Sequence, residues 1–207
     1  MNGAASSVYV ATVVSVQDEL LPEFMTAACG GGTAGKATLR GMADVCLQTL
    51  PASALEGEAA LEQLRDSDFS ILLVRHLDFV TLEQIRRLVR TLPPAAAHHL
   101  HVVICRHQGE TDYKISCPKC GQKLMVRDAS AFRRAKCPHC QDIFMVPGQS
   151  DLIRNELILP ANRLVRSVNL DDSATCRSAL EAVIGQFREK VEAAKGTTMR
   201  LELPPEA

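Results

Sequence analysis

Four of the eight cysteines in this chain fall in two short repeats, Cys117-Pro118-Lys119-Cys120 and Cys137-Pro138-His139-Cys140. Four thiolates in two close pairs, joined by the loop from Gly121 to Lys136, suit a tetrahedral metal ion and Zn2+ in particular. Each pair supplies two ligands from one tight turn, and the loop brings the two turns together. Gly121 follows the first pair, where amides turning toward the sulfurs need the freedom of a residue without Cβ.

The segment from Ile115 to Pro147 resembles the short prokaryotic zinc-ribbon finger written CPxCG…CPxC. In that family an apolar strand follows each knuckle, as Lys123-Leu124-Met125-Val126 and Ile143-Phe144-Met145-Val146 do here. The resemblance implies a ribbon fold and a structural Zn2+ on Cys117, Cys120, Cys137 and Cys140, and it implies no reaction. Gln141 stands where many such ribbons carry a second glycine, a departure that concerns only a turn conformation. Other chemistries use the same residue types. A Cys-x-x-Cys can be a redox dithiol, although redox motifs usually open a helix in a thioredoxin-like unit. Iron in a rubredoxin-like site would take the same ligands. Disulfides belong to oxidising compartments. Met1 to Val16 lacks the basic residues of a secretory signal, so a cytoplasmic location with reduced thiols is expected.

The charge of the chain is unevenly spread. Between Lys114 and Val146 stand Lys114, Lys119, Lys123, Arg127, Arg133, Arg134 and Lys136 against Asp128 and Asp142, while the whole chain carries a net charge of −1. Arg127, Arg133, Arg134 and Lys136 lie in the loop between the knuckles and are the candidate docking residues for an anionic partner, an acidic protein surface or a phosphate backbone. The same run would read as a solvated loop if it met no partner. No stretch approaches the roughly 20 apolar residues of a membrane helix. Cys29, Cys46, Cys105 and Cys176 stand in apolar surroundings and are expected to be small buried hydrophobes.

The elements that must position these residues alternate between strand and helix. Ser7 to Val16, Phe69 to Val74 and Leu100 to Cys105 are nearly continuous apolar runs, as strands buried on both faces should be. A helical segment follows Asp18. Ser53-Ala54-Leu55-Glu56 and Thr81-Leu82-Glu83-Gln84 have capping-box spacing and predict helix starts. Further strands are expected near Glu156 to Leu159 and Leu164 to Leu170. A long terminal helix should bury Cys176, Leu180, Val183, Ile184, Phe187 and Val191 on one stripe, with Asp172 capping it and Gly196 beyond its end. The expected fold is therefore α/β, a doubly wound and mainly parallel sheet of Rossmann or flavodoxin type. It would comprise residues 1–112 and 148–207, with the ribbon inserted at 113–147.

Two motifs in the α/β part could carry chemistry. Gly30 to Ala37 matches the phosphate loop GxxxxGK through Gly30, Gly35 and Lys36, but Ala37 replaces the magnesium-binding hydroxyl. The preceding Leu20 to Cys29 reads as a helix, whereas a phosphate loop follows a strand. The second motif is a resemblance to response-regulator receivers. It rests on the strand-end cluster Val14-Ser15-Val16-Gln17-Asp18-Glu19, on Gly57 to Leu73, and on Leu157-Ile158-Leu159-Pro160 as a fifth-strand segment. The resemblance implies a signalling fold without its chemistry, because the acceptor aspartate would fall at Val74 or Arg75 and the lysine before proline is Leu159. His98, His99 and His101 read as solvated residues ahead of a strand. The chain is thus expected to be a zinc-bearing, non-enzymatic signalling or regulatory adaptor for a protein partner. The alternatives are a degenerate phosphate-loop nucleotide binder or nucleic-acid binding through the basic ribbon.

Overall fold

Strands that are apolar along their whole length can only be stable with both faces covered, and the chain meets that demand with helices on each side. The computed structural model describes residues 9–30, 36–38, 45–54, 57–75, 79–92 and 99–196. In chain order these are β1 (Tyr9–Ser15), α1 (Leu20–Cys29), β2 (Lys36–Thr38), β3 (Val45–Leu50), α2 (Glu58–Arg65), β4 (Phe69–Val74), α3 (Phe79–Thr91) and β5 (Leu100–Arg106). Then come four ribbon strands, β6 (Asp112–Ser116), β7 (Lys123–Arg127), β8 (Arg134–Lys136) and β9 (Ile143–Met145), and finally α4 (Gln149–Leu157), β10 (Val165–Asn169) and α5 (Ser173–Gly196).

The main sheet has the order β10-β5-β4-β1-β3-β2, parallel except for β2, which pairs antiparallel with β3. Numbering only the parallel strands along the chain turns this order into 2-1-3-4-5, the flavodoxin-like arrangement of doubly wound folds. Alternation within each strand assigns its side chains to one of two cores. Ala11, Val13, Phe69, Ile71, Leu73, Val103 and Cys105 face α1 and α5. Val14, Leu72, Val74, Val102 and Ile104 face α2, α3 and α4. The expected doubly wound sheet is thus the one observed. The ribbon leaves the sheet after β5 and rejoins the chain at α4, as two antiparallel hairpins, β6–β7 and β8–β9.

Several local expectations are corrected. Glu156 to Leu159 is no strand: Ile153 and Leu157 stand four residues apart, bury on the sheet and make this segment the end of α4. Ile158 then turns left-handed at φ 52°, so the fifth parallel strand is β10 and the receiver-like match at Leu157 to Pro160 falls. Ser53 lies in a short 3-10 turn, and α2 starts five residues later, after Gly57 in extended conformation. Leu55 and Glu56 lie outside the described residues. Thr81 sits inside α3, which begins at Phe79, ahead of the start that its capping-box spacing predicts, and Val80 in that first turn is exposed. β3 gave no clear sequence signal, since Gln48 and Thr49 interrupt its apolar alternation.

α5 behaves as its stripe requires. Cys176, Leu180, Val183, Ile184 and Phe187 are buried against the sheet, and the Ala174 amide donates to Asp172 Oδ1 at 3.0 Å as an N-cap. Phe187 stacks on Phe69 with ring centroids 4.7 Å apart and meets Tyr9 edge-on at 5.2 Å. Replacing Phe187 with Ala should therefore cost about 3–5 kcal/mol of stability, read as a shifted midpoint in urea unfolding of the full chain. An unchanged midpoint would show that α5 is not seated on the sheet.

Candidate metal centre

Each Cys-Pro-x-Cys folds into a knuckle by the same two backbone hydrogen bonds. The Cys117 amide donates to Gln122 O at 2.8 Å and the Gly121 amide to Cys117 O at 2.9 Å. In the second knuckle the Cys137 amide donates to Asp142 O at 2.8 Å and the Gln141 amide to Cys137 O at 3.0 Å. Closing these turns requires a left-handed residue after the second cysteine, and both sites adopt it, Gly121 at φ 71° and Gln141 at φ 61°. Gln141 adopts the glycine-like conformation despite its side chain, whose Nε2 donates to Pro138 O at 3.0 Å.

The two knuckles bring all four Sγ atoms within 4.8 Å of one another. Cys117 and Cys140 are 3.7 Å apart, and Cys120 and Cys137 are 3.8 Å apart. A tetrahedral tetrathiolate with metal–sulfur bonds of about 2.3 Å has edges of about 3.8 Å, so the cluster has the dimensions to hold a metal ion. Disulfides would need sulfurs about 2.05 Å apart, and all eight cysteines are free thiols. The electrostatics agree. Backbone amides, that of Cys120 foremost, pull the Cys117 thiol down to about 7. At Cys120 the Gln122 amide pulls the same way, but burial and the neighbouring thiols hold it up at about 12. Four crowded thiols cannot all ionise unless a cation offsets their mutual repulsion.

Six residues form the buried centre of the ribbon: Tyr113, Ile115, Cys117, Cys137, Phe144 and Val146. Leu152 of α4 packs against them, so the module is seated on the α/β domain rather than tethered to it. Tyr113 donates its hydroxyl to Pro147 O at 2.6 Å, which ties together the two ends of the insertion. Arg106, at the end of β5, pairs with Asp128 at 3.3 Å. Gly148 adds a tight contact, because a Cβ there would lie 2.7 Å from the Phe132 ring.

The four candidate docking residues are all exposed, and among the described residues none of them forms an ion pair. They do not form a single cluster in the fold. Arg134 and Lys136 share one face of β8, directly after Arg133, whereas Arg127 ends β7 opposite Asp112. Their surroundings hold what charge alone did not signal. Ile143 and Met145 on β9 pair with Lys136 and Arg134 and are 64 % and 57 % exposed. Phe132 beside them is 67 % exposed. The alternation of Ile143-Phe144-Met145-Val146 could have revealed this, since a two-stranded hairpin with Phe144 and Val146 inward must turn Ile143 and Met145 out.

The phosphate-loop candidates stand in the reverse of the context they need. Gly30 is the left-handed C-cap of α1, its amide donating to Thr26 O at 3.0 Å. Lys36 opens β2. A helix therefore precedes the segment and a strand follows it; Gly35 lies outside the described residues. His98 does too, while His101 is no solvated loop residue. It is buried in β5, its Nδ1 accepts the Leu164 amide at 3.3 Å, and burial together with Lys190 and Arg163 pushes it down to about 3. Cys105 and Cys176 are buried as expected, and Cys29 and Cys46 only partly.

At the C-terminal edge of the sheet, where doubly wound folds bind ligands, the chain pairs its own charges. Arg75 follows β4 directly and contacts Glu23 at 3.5 Å and Glu110 at 3.3 Å. Its amide donates to Gln17 Oε1 at 3.2 Å. His107 lies 3.6 Å from Glu23 and 2.9 Å from Asp171. The Gln108 amide and His107 hold the Asp171 carboxyl below its ordinary value. No protein-family model matches the chain, and no curated protein sequence matches it.

Replacing Cys137 with Ser should abolish metal binding at the cluster. It should loosen the ribbon while the main sheet keeps its far-ultraviolet circular dichroism, since a bound ion supplies much of the folding energy of so small a module. Elemental analysis should find one metal ion per wild-type chain and none in the variant. Gln141→Gly should leave the metal content intact and stabilise the ribbon by about 1 kcal/mol, through relief of its left-handed backbone.

Proposed function

We propose that this protein is a non-enzymatic regulatory adaptor, built on a pseudo-receiver α/β domain and binding a protein partner through a zinc-stabilised ribbon. The observation that carries this reading is the outer face of β8–β9. There Ile143 and Met145 stand uncovered beside Arg134 and Lys136, with Phe132 and Arg133 next to them. Apolar anchors within a cationic surround suit an acidic protein segment with apolar side chains, which gains burial from the anchors and orientation from the charges. Zinc is the ion that four thiolates in two knuckles suit best. With all four positions filled by sulfur it holds the hairpins rigid and has no open position for a substrate or water.

The receiver-like reading is supported by the 2-1-3-4-5 strand order and weakened in its chemistry by the residues at the strand ends. Arg75 follows β4, and the β1 end offers Gln17 and Asp18. Asp18 Oδ1 accepts the Ser53 amide at 3.4 Å. An arginine has no carboxylate to form the acyl phosphate of a receiver, and Glu23 and Glu110 are engaged in ion pairs with Arg75. Such a domain is suited to holding the ribbon in a defined orientation rather than to phosphoryl transfer.

Affinity capture with the full chain as bait tests the proposal. Reversing Arg133 and Arg134 to Glu should abolish recovery of the acidic partner, and Ile143→Ser with Met145→Ser should do so independently of charge. Both variants should retain their metal. Partner recovery that persists in both at moderate salt would remove this face as the docking surface. Displacement of the partner by a single-stranded oligonucleotide would instead favour nucleic acid as the ligand of the same cations.

A further inference from the structure

Four polar side chains converge at the opposite, N-terminal edge of the main sheet, where β5 and β10 begin. His101 is the second residue of β5, Arg163 precedes β10, and Gln186 and Lys190 lie one turn apart on α5. Arg163 is 8 % exposed, yet its Nε and Nη1 have no hydrogen-bond partner, and neither have Lys190 Nζ and Gln186 Oε1, all buried atoms. Buried charged groups without partners are costly, so an arrangement of two such cations calls for a counter-charge. Among the described residues no carboxylate pairs with either of them.

The arrangement is held in place by its surroundings. Arg154 fixes the loop that carries Arg163, its Nη2 donating to Arg163 O at 2.7 Å and its Nη1 to Pro160 O at 3.3 Å. Gln186 donates its Nε2 to Asn162 O, next in the chain to Arg163, at 2.7 Å, which leaves its buried Oε1 as an acceptor without a partner. His101 Nδ1 takes the Leu164 amide, so the neutral ring carries its proton on Nε2 as a further donor. Burial lowers the basicity of Arg163, and burial with the Arg163 charge lowers that of Lys190, as expected for cations that lack a partner. Lys190 and Gln186 are only half-buried as residues, although their unpartnered polar atoms are covered.

We propose that Arg163, Lys190 and His101, with Gln186, form a binding site for a hydrogen-phosphate group at the N-terminal edge of the sheet. Two cations match a dianion, and the guanidinium and ammonium donate charge-assisted hydrogen bonds to its oxygens. The Gln186 Oε1 acceptor can take the proton of a P–OH, which hydrogen phosphate has and sulfate lacks. The site lies away from the metal cluster and from the paired charges around Arg75, so it is independent of the docking role of the ribbon.

The test is calorimetric titration of the full chain with inorganic phosphate at constant ionic strength, with sulfate and chloride in parallel. Saturable binding of one phosphate per chain, tighter than sulfate and absent for chloride, is the expected result. Arg163→Gln should weaken it at least about tenfold. Lys190→Met, at a half-buried position that tolerates an apolar side chain, should do the same should the first variant fold poorly. Glycerol phosphate as a third titrant separates the sources: binding as tight as that of phosphate points to a phosphorylated metabolite, and weaker binding to the free ion. Lack of saturable phosphate binding by the wild type, or binding unchanged in Lys190→Met, would overturn the proposal.

Discussion

Burial of both faces of the parallel sheet is the constraint from which the rest of this molecule follows. The six residues of β4 are all buried, and only the last residue of β5 reaches partial exposure. Helices must therefore cover each side, α1 and α5 on one and α2, α3 and α4 on the other. With the faces sealed, chemistry and attachments are left to the edges and to the connections between strands and helices. The ribbon, the ion-paired cluster around Arg75 and the cations around Arg163 all lie at such positions.

The inserted module meets a different limit. Six buried residues, two of them cysteines of the candidate metal cluster, are far too few to hold thirty-odd residues folded by apolar burial alone. Its order rests on the convergence of four sulfurs, on the Tyr113–Pro147 hydrogen bond that joins its ends, and on Leu152 of the neighbouring helix. The same economy explains its surface. Among the described residues no second layer covers the outer face of this hairpin of three-residue strands, so Ile143 and Met145 are left exposed.

The two ends of the sheet carry opposite electrostatic arrangements. At the C-terminal end Arg75 and His107 stand among three carboxylates, Glu23, Glu110 and Asp171, so that negative charge is in excess there. At the N-terminal end Arg163 and Lys190 influence each other electrostatically, and among the described residues no carboxylate pairs with either. The C-terminal cluster pairs its arginine and disfavours an incoming anion. An unpaired buried one keeps its field, which is why the less usual end of a doubly wound sheet is here the better anion site.

Features set by local residue type and spacing were legible in the sequence by itself. The two cysteine knuckles of the candidate metal centre, the strands β1, β4 and β5, the stripe of α5 and the doubly wound class all follow from patterns within a few residues of each other. Where the chain departs from those patterns, the deciding contacts lie far apart along it. The segment ending at Leu157 is a helix because Ile153 and Leu157 have a sheet to rest on, and no spacing shows that. Gly30 ends a helix rather than opening a phosphate loop because the chain next adds β2 to the sheet edge. Arg163, Lys190 and His101 come from three separate stretches, and only the pairing of β10 with β5 under α5 brings them together. Local propensity acts over a turn or two, whereas burial, register and charge pairing are settled once the sheet has closed.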